Sequence, residues 1–200
     1  MPRTEEANQH IREVRKEQLL QAAARVFARK GLADATVAEI AATAGVSHGL
    51  LYRHFASKEE VFAAVVEQSL EQARQLARAA LAQPGTAWDR LRWITERIFP
   101  GQALGNRPQF FMVVLYALTN EGVSEHVHNM AVQQGKIIRD VVQQFVVEGQ
   151  QSGHVRLGDP QQLTRLFLAS IQGLVLSETF RQSNEADLPT LDMVLQILRA

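Results

Sequence analysis

Apolar residues recur every three or four positions along most of the chain, which is the spacing of one face of an α-helix. The first such stripe comes before Gly31 and consists of Leu19, Ala22, Ala23, Val26 and Phe27. Because glycine commonly follows a helix end, Gly31 is predicted to end this first helix. The alternation of apolar and polar positions that is typical of strands is not seen. The 200 residues are therefore predicted to form an all-α fold, with about nine helices.

Three helix starts are predicted within residues 36–62, which read TVAEIAATAGVSHGLLYRHFASKEEVF. Thr36 and Ser57 each stand three positions before a glutamate, and this arrangement is the capping box that begins many helices. Gly45 interrupts the helix that Thr36 begins. Ser47 can cap the next helix, which is expected to run through His54. The segment is thus predicted to be two short helices joined by a tight turn, followed by a long helix.

This segment meets the requirements of a helix-turn-helix. Ala41 is small enough for two helices to cross, and Gly45 tolerates a left-handed backbone at the turn. Apolar anchors between the helices are supplied by Ile40, Ala44, Val46 and Leu51. The exposed side of the second helix is expected to carry Ser47, His48, Tyr52, Arg53 and His54. Residues 1–60 are therefore predicted to be a three-helix DNA-binding domain.

Several side chains are predicted to contact the DNA backbone. Thr36, Ser47 and Lys58 lie at helix starts, where free backbone N–H groups and the helix dipole favour phosphate. Tyr52 and His54 lie further along the second helix and can reach the backbone of the other strand. Together these contacts would hold the second helix in the major groove.

Base reading is predicted for the surface near the start of the second helix. His48 can donate a hydrogen bond to guanine N7 or O6, and Leu50 can contact a thymine methyl group. Gly49 lets the protein backbone approach the base edges closely.

The same residues resemble the N-terminal signature of the TetR/AcrR family of transcriptional regulators. The resemblance covers residues 19–66, and its matching positions are Thr36, Ile40, Ala41, Ala44, Gly45, Val46, Ser47, Gly49, Leu51, Tyr52, His54, Phe55, Lys58 and Phe62. It implies a homodimer with a three-helix DNA-binding head and a helical C-terminal domain. In that domain it implies a small-molecule pocket and a dimer interface formed by the last two helices. It also implies phosphate contacts by Thr36, Ser47, Tyr52, His54 and Lys58, and base contacts by residues 48–50.

Residues 61–200 are predicted to be the ligand-binding and dimerisation domain. A helix around residues 109–120 is apolar on nearly all sides, so we expect it to be central. Gln134 interrupts an apolar stripe, where a ligand's polar end can be held. The candidate ligand-binding residues are Trp88, Trp93, Phe110, Phe111, Tyr116, Met130 and Gln134. The predicted effector is a mostly apolar small molecule that releases DNA.

A homodimer is predicted from the last two helices as well. Asp159 and Pro160 begin one helix as its cap and first residue. This helix shows two apolar faces, one of which needs a partner, and the last helix, starting near Leu188, is amphipathic. The alternative is burial of both faces within one chain. Since a two-fold dimer presents two recognition helices, the operator in double-stranded DNA is predicted to be an inverted repeat.

Composition limits the remaining function classes. The formal net charge is zero, so any DNA contact must come from a local patch. The chain has no cysteine, which excludes thiolate metal sites and disulfides. No signal peptide or membrane-spanning run is seen, so a cytoplasmic protein is expected.

An enzyme is not expected, because the chain lacks a phosphate loop, a nucleophile elbow and a paired metal motif. No cofactor or metal is predicted; Glu121, Glu125 and His128 form at most a weak metal set, and a solvated face is favoured there. The alternatives are a regulator without ligand response, an all-helical enzyme, or an interaction module.

Overall fold

The computed structural model describes residues 5–99, 107–180 and 189–200. Over these residues the protein is built from nine α-helices with no strand, which confirms the predicted fold class. The helices are α1 (Glu5–Asp34), α2 (Val37–Ala44), α3 (His48–Tyr52), α4 (Lys58–Leu81), α5 (Ala87–Ile98), α6 (Arg107–Thr119), α7 (Glu125–Gln151), α8 (Pro160–Phe180) and α9 (Leu191–Leu195).

The chain divides into two compact units that do not follow the chain order. The first unit combines Met1–Leu70 with Gln109–Ala131, and the second combines Glu71–Pro108 with Val132–Ala200. The helix-turn-helix segment therefore shares a unit with α6 and with the start of α7. The predicted domain boundary at residue 60 stays a prediction, because a compact unit is not in itself an independently folding domain.

Aromatic side chains connect α1, α4 and α6 in the core of the first unit. The ring of Phe27 meets Phe62 edge-on with centroids 5.1 Å apart, and Phe62 meets Tyr116 edge-on at 5.8 Å. Gly31 has a φ of 71°, and a Cβ atom there would overlap the Tyr116 ring. Gly31 is a kink within α1, and this kink packs directly on α6. The predicted helix end coincides with the kink, although the helix resumes and ends at Asp34.

The second unit has its own core, formed by α5, α7, α8, α9 and the C-terminal part of α4. Phe145 and Phe167 are fully buried there, together with Leu91 and Ile94. The C-terminal residues are tied to the loop after α7, because the Arg156 N–H donates to the Leu198 carbonyl at 2.9 Å.

The last helix differs from the prediction. It has five residues, is capped by Thr190 and begins at Leu191. Leu188, where it was predicted to start, lies outside the described residues. Leu195, in the last helix that was predicted to form part of a dimer interface, is only 1% exposed, because it packs in the core of its own unit.

Helix α8 begins as predicted, with Asp159 Oδ1 accepting a hydrogen bond from the Gln161 N–H at 2.8 Å. Its two predicted apolar faces are one surface, however. Phe167 and Ile171 are both buried in the same core. Four residues span little more than one helical turn, so the two side chains point in nearly the same direction. The large apolar side chain that α8 exposes is Leu166, at 57%.

Candidate DNA-binding surface

The start of α2 is fixed by a complete capping box. The Thr36 Oγ1 accepts a hydrogen bond from the Glu39 N–H at 3.3 Å, and the Glu39 carboxylate accepts one from the Thr36 N–H at 3.3 Å. Glu39 also pairs with the Lys30 ammonium. This hydrogen bond from Lys30, followed by the bonds from Thr36, lowers the pKa of Glu39.

The turn between α2 and α3 needs glycine for its backbone conformation rather than for space. Gly45 has φ 66° and ψ 32°, and a Cβ atom there would meet nothing within 4 Å. The Val46 N–H donates to the Ala41 carbonyl at 3.0 Å and closes the turn. Ala41 and Leu51 are 2% and 1% exposed, so both helices contribute to one core as the helix-turn-helix prediction requires.

The predicted cap of α3 is present, but the helix is shorter than predicted. Ser47 Oγ accepts a hydrogen bond from the Leu50 N–H at 3.3 Å. The helix ends at Tyr52, and His54 lies in a turn where its N–H donates to the Leu51 carbonyl at 3.0 Å. The turn brings Phe55 back into the core, where it is 5% exposed.

The outer side of α3 carries the residues predicted to meet DNA. His48, Gly49 and Arg53 are exposed, Leu50 is half-buried, and Tyr52 is 53% exposed. The rings of His48 and Tyr52 meet edge-on with centroids 5.9 Å apart. A Cβ atom at Gly49 would meet nothing within 4 Å, so the surface beside His48 is open.

The start of α4 uses a variant of the predicted capping box. Ser57 Oγ accepts from the Glu60 N–H at 3.2 Å, as predicted. The Glu60 carboxylate accepts from the Ala56 N–H at 2.5 Å, one residue before the cap. The return bond of a capping box depends on the path of the preceding chain, which the S-x-x-E pattern does not encode.

Lys58 has partners that the sequence did not indicate. Its Nζ donates to the Ala33 carbonyl at 2.7 Å and to the Ala35 carbonyl at 3.3 Å. Both acceptors lie in the turn that leads from α1 to α2. The predicted phosphate contact of Lys58 stays a prediction, although its ammonium is already engaged within the protein.

The predicted ligand-binding residues are divided between the two units. Phe110, Phe111, Tyr116 and Met130 belong to the first unit, and Trp88, Trp93 and Gln134 belong to the second. In the first unit, Phe110 is buried in the core, while Phe111, Tyr116 and Met130 are half-buried. Their assignment to a ligand site stays a prediction.

The tryptophans of the second unit lie against cations of the same chain. The Arg97 guanidinium stands 3.6 Å from the ring centroid of Trp93, and that of Arg199 stands 5.4 Å from Trp88. Such contacts are favourable cation–π interactions. One face of Trp93 is therefore covered by Arg97, so a ligand at that face must displace the guanidinium.

A surface cavity of about 490 Å³ runs along α7, and its lining residues are Asp140, Gln143, Gln144, Val147, Glu148 and Gln151. None of these was predicted to bind a ligand. One of them, Glu148, is paired with the Arg90 guanidinium at 2.6 Å.

His128 is turned toward α6, since its Nδ1 lies 3.1 Å from the Ala117 carbonyl. Over the described part of the chain, no cluster of three or more histidine, aspartate or glutamate side chains is arranged to hold a metal ion. Among the helices that the structure describes, none combines the length and apolar character needed to cross a membrane.

Sequence comparisons agree with this geometry. Residues 19–65 match the family model described as bacterial regulatory proteins, tetR family. The chain is also 31% identical over 140 residues to the transcriptional repressor KstR2 of Mycobacterium tuberculosis, a match covering 68% of each chain. The chain belongs to the TetR family of transcriptional regulators. The members and fold neighbours it matches are regulators rather than enzymes.

Other curated relatives match less than half of this chain. The transcriptional activator FasR of Mycolicibacterium smegmatis is 39% identical over 92 residues, which cover 46% of this chain and 42% of FasR. The chain thus spans less than half the length of the first curated relatives it matches.

Solved structures share the fold over nearly the whole chain. A transcriptional regulator from Saccharomonospora viridis, solved in complex with choline, superposes with a TM-score of 0.69 at 21% identity, covering 90% of this chain and 91% of that one. The structure of AibR in complex with isovaleryl coenzyme A and operator DNA gives a TM-score of 0.68 at 16% identity, covering 91% and 94%. At these identities the likeness concerns the fold alone.

Proposed function

We propose that this TetR-family regulator is a ligand-responsive repressor that binds operator DNA through the outer side of α3. One observation carries the proposal: α3 buries Leu51 in the core while it exposes His48, Gly49 and Tyr52. Tyr52 is 53% exposed on the outer side of α3, where its hydroxyl can donate to phosphate.

The contacts are divided by role. Ser47, Tyr52 and His54 hold α3 on the phosphates, and Thr36 does the same at the start of α2. His48, with the open surface at Gly49 and the half-buried Leu50, meets the base edges in the major groove. Loss of a phosphate contact is therefore expected to weaken binding to all DNA sequences. Substitution within residues 48–50 is expected to change which sequence is preferred.

The regulator acts as a homodimer on an inverted repeat, because two-fold symmetry presents two α3 helices to DNA. The exposed side of α8, with Leu166 at its centre, supplies the partner surface. Repression is favoured over activation because KstR2, named a repressor, matches over 68% of this chain, against 46% for the activator FasR. A regulator of this kind acts in the cytoplasm, where the DNA is.

The effector is a mostly apolar small molecule. Phe110, Phe111, Tyr116 and Met130 lie in the same compact unit as α3, so a ligand that displaces them acts on the unit that holds the recognition helix. Ligands named for fold neighbours, choline and isovaleryl coenzyme A, agree with a small-molecule response in this fold. The effector must bind the released form better than the DNA-bound form, with a coupling of about 1–3 kcal/mol.

The test is a fluorescence-anisotropy titration of the protein with DNA taken from upstream of its own gene. We expect tight binding to one segment that weakens steeply with salt, and weak binding to scrambled DNA of equal length. Tyr52→Phe, which removes one hydroxyl, is expected to weaken both. The control is Tyr116→Phe, which removes a hydroxyl from the chain's other tyrosine and leaves both affinities unchanged. Binding without preference for any upstream segment would contradict the proposal.

A further inference from the structure

We infer that Glu60 is a positioning residue for the recognition helix. Its carboxylate holds the connection between α3 and α4, so that the exposed face of α3 keeps one orientation. The inference rests on the proposed DNA-binding function and adds to it a residue that acts through the protein backbone. It is carried by the hydrogen bond that the Ala56 N–H donates to the Glu60 carboxylate at 2.5 Å.

The orientation of α3 depends on the segments at its two ends. The helix has five residues, His48–Tyr52, and one of them, Leu51, is buried. A helix this short makes few hydrogen bonds of its own, so the neighbouring chain must hold it. At its start, support comes from the Ser47 cap and from the Val46 N–H, which donates to the Ala41 carbonyl at 3.0 Å.

After α3, residues 53–57 lead to α4 and are held at two points. The first is the side chain of Phe55, which is 5% exposed and belongs to the core. The second is the backbone of Ala56, whose N–H donates to the Glu60 carboxylate. Because an ionised acceptor forms a stronger hydrogen bond than a neutral one, this bond restrains the exposed Ala56 more than a bond to water would.

Glu60 holds this backbone from a fixed position. Its own N–H donates to the Ser57 Oγ at 3.2 Å at the start of α4. The two residues that follow it, Val61 and Phe62, are 0% and 1% exposed in the core. The carboxylate therefore ties the residue after Phe55 to the position of α4. Loss of the carboxylate leaves the buried anchors in place, so α3 is expected to reorient while the head stays folded.

Glu59 separates positioning from the effect of charge. Both glutamates are exposed in the first turn of α4, where the helix dipole favours a negative charge. Over the described residues, the Glu59 carboxylate has no hydrogen-bond partner, whereas Glu60 holds Ala56. An effect of the helix dipole, or of repulsion from DNA phosphates, is therefore expected at both positions. An effect of positioning is expected at Glu60 alone.

The experiment measures the binding of Glu60→Met, Glu59→Met and the wild type by anisotropy. The two DNA molecules are the upstream segment that the wild type prefers and its scrambled form. Methionine keeps most of the side-chain length and forms helix well, and it removes both the charge and the acceptor. Circular dichroism and thermal unfolding report whether each variant is folded.

Positioning predicts that the ratio of operator affinity to scrambled-DNA affinity falls about tenfold in Glu60→Met and less than about twofold in Glu59→Met. Both variants lose one negative charge, so their affinity for scrambled DNA should rise by a similar factor, which the ratio cancels. Glu60→Gln should keep most of the wild-type ratio, because its Oε1 can still accept from the Ala56 N–H.

Glu60→Asp is the second test, and it decides the matter if Glu60→Met fails to fold. Aspartate keeps the charge at the helix start but is one methylene shorter. Asp89, in the capping box of α5, reaches only the cap residue Thr86, whereas Ala56 lies one residue before the cap Ser57. The ratio should therefore fall in Glu60→Asp, although the charge is unchanged.

Equal ratios in the two methionine variants would overturn the inference, and so would a wild-type ratio in Glu60→Asp. A lower melting temperature of Glu60→Met with an unchanged ratio would also overturn it, because the role would then be structural only. If the wild type preferred no upstream segment, the proposed function itself would fail. That outcome is distinct from a selective wild type beside an equally selective Glu60→Met.

Discussion

At the level of single residues, the outer side of α3 combines an imidazole and a phenol that touch each other. The edge-on contact of His48 and Tyr52 limits the rotamers available to the imidazole. A donor held in one orientation discriminates between bases better than a freely rotating donor. It can form a hydrogen bond only with a base whose acceptor lies in that direction. Tyr52 can thus hold phosphate and also orient the base-reading side chain.

His48→Ala is therefore expected to change which base is preferred within each half-site, while affinity for scrambled DNA stays the same. The measurement is a binding titration over operators that carry every single-base substitution in one half-site. The expected loss of discrimination at one position is about 1–3 kcal/mol. A uniform loss over all of these operators would show that His48 does not read a base.

Glu39 is expected to make the stability of the head depend on acid pH. The hydrogen bond from Lys30 and those from Thr36 keep the pKa of Glu39 below its ordinary value of 4.5 in the folded protein. A lowered pKa means that the stabilisation is present above the unfolded value and is lost as the pH falls through the folded value. The melting temperature should therefore fall less on acidification in Glu39→Gln than in the wild type. Equal falls would contradict the assignment.

At the level of helices, two glycines with positive φ differ both in ψ, which is -175° at Gly31 and 32° at Gly45, and in their surroundings. Gly31 and Gly45 have φ values of 71° and 66°. A Cβ atom at Gly31 would overlap the Tyr116 ring, whereas one at Gly45 would meet nothing within 4 Å. Substitution of either glycine strains the backbone, but only Gly31 is also constrained by a neighbouring helix.

Gly45→Ala is expected to cost about 1–2 kcal/mol from the left-handed backbone alone. Gly31→Ala should cost more, because the Tyr116 ring must also move. Urea unfolding of Gly31→Ala in the Tyr116→Ala background completes a double-mutant cycle, and the steric part of the cost should disappear there. Additive effects of the two substitutions would show that α6 does not press on the turn.

The dimer prediction now rests on α8, because Leu195 of α9 is buried in the core of its own chain. Leu166→Asp is expected to yield monomers in size-exclusion chromatography with light scattering, because it places a charge in an apolar contact. The control is Leu157→Asp, which changes a loop side chain that is 84% exposed and should leave the dimer intact. A dimer that survives Leu166→Asp would place the interface elsewhere.

At the level of the whole molecule, the compact unit that contains α3 also contains α6. A ligand that binds at α6 is therefore expected to change DNA binding, and this response can be tested. A thermal-shift screen of lipophilic compounds and acyl thioesters should yield a compound that stabilises the protein and weakens operator binding. Linkage requires DNA to weaken the binding of that compound by the same factor. A compound that stabilises the protein without changing DNA affinity would argue against coupling.

Phe111→Ala provides the matched test of the ligand site. Phe111 is half-buried, whereas its neighbour Phe110 is 6% exposed and belongs to the core. Loss of Phe111 is therefore expected to reduce the response to the compound more than it reduces stability. Phe110→Ala should mainly lower stability, by about 3–5 kcal/mol.

The sequence by itself determined the features that depend on neighbouring residues. A hydroxyl three positions before a glutamate begins α2, and Gly45 makes a left-handed turn that most other residues resist. Asp159 caps α8 by accepting a hydrogen bond from the Gln161 N–H. These signals work within one helical turn, so they could be read without knowledge of the fold.

Only the tertiary structure decided the features that join distant segments. The Lys58 ammonium meets carbonyls more than 20 residues away, the Tyr116 ring fills the space beside Gly31, and Leu195 turns inward. A lysine at a helix start and an aromatic ring on an apolar helix are each compatible with several partners. Their partner is set by how helices pack, because packing and hydrogen bonds depend on three-dimensional distance and not on separation along the chain.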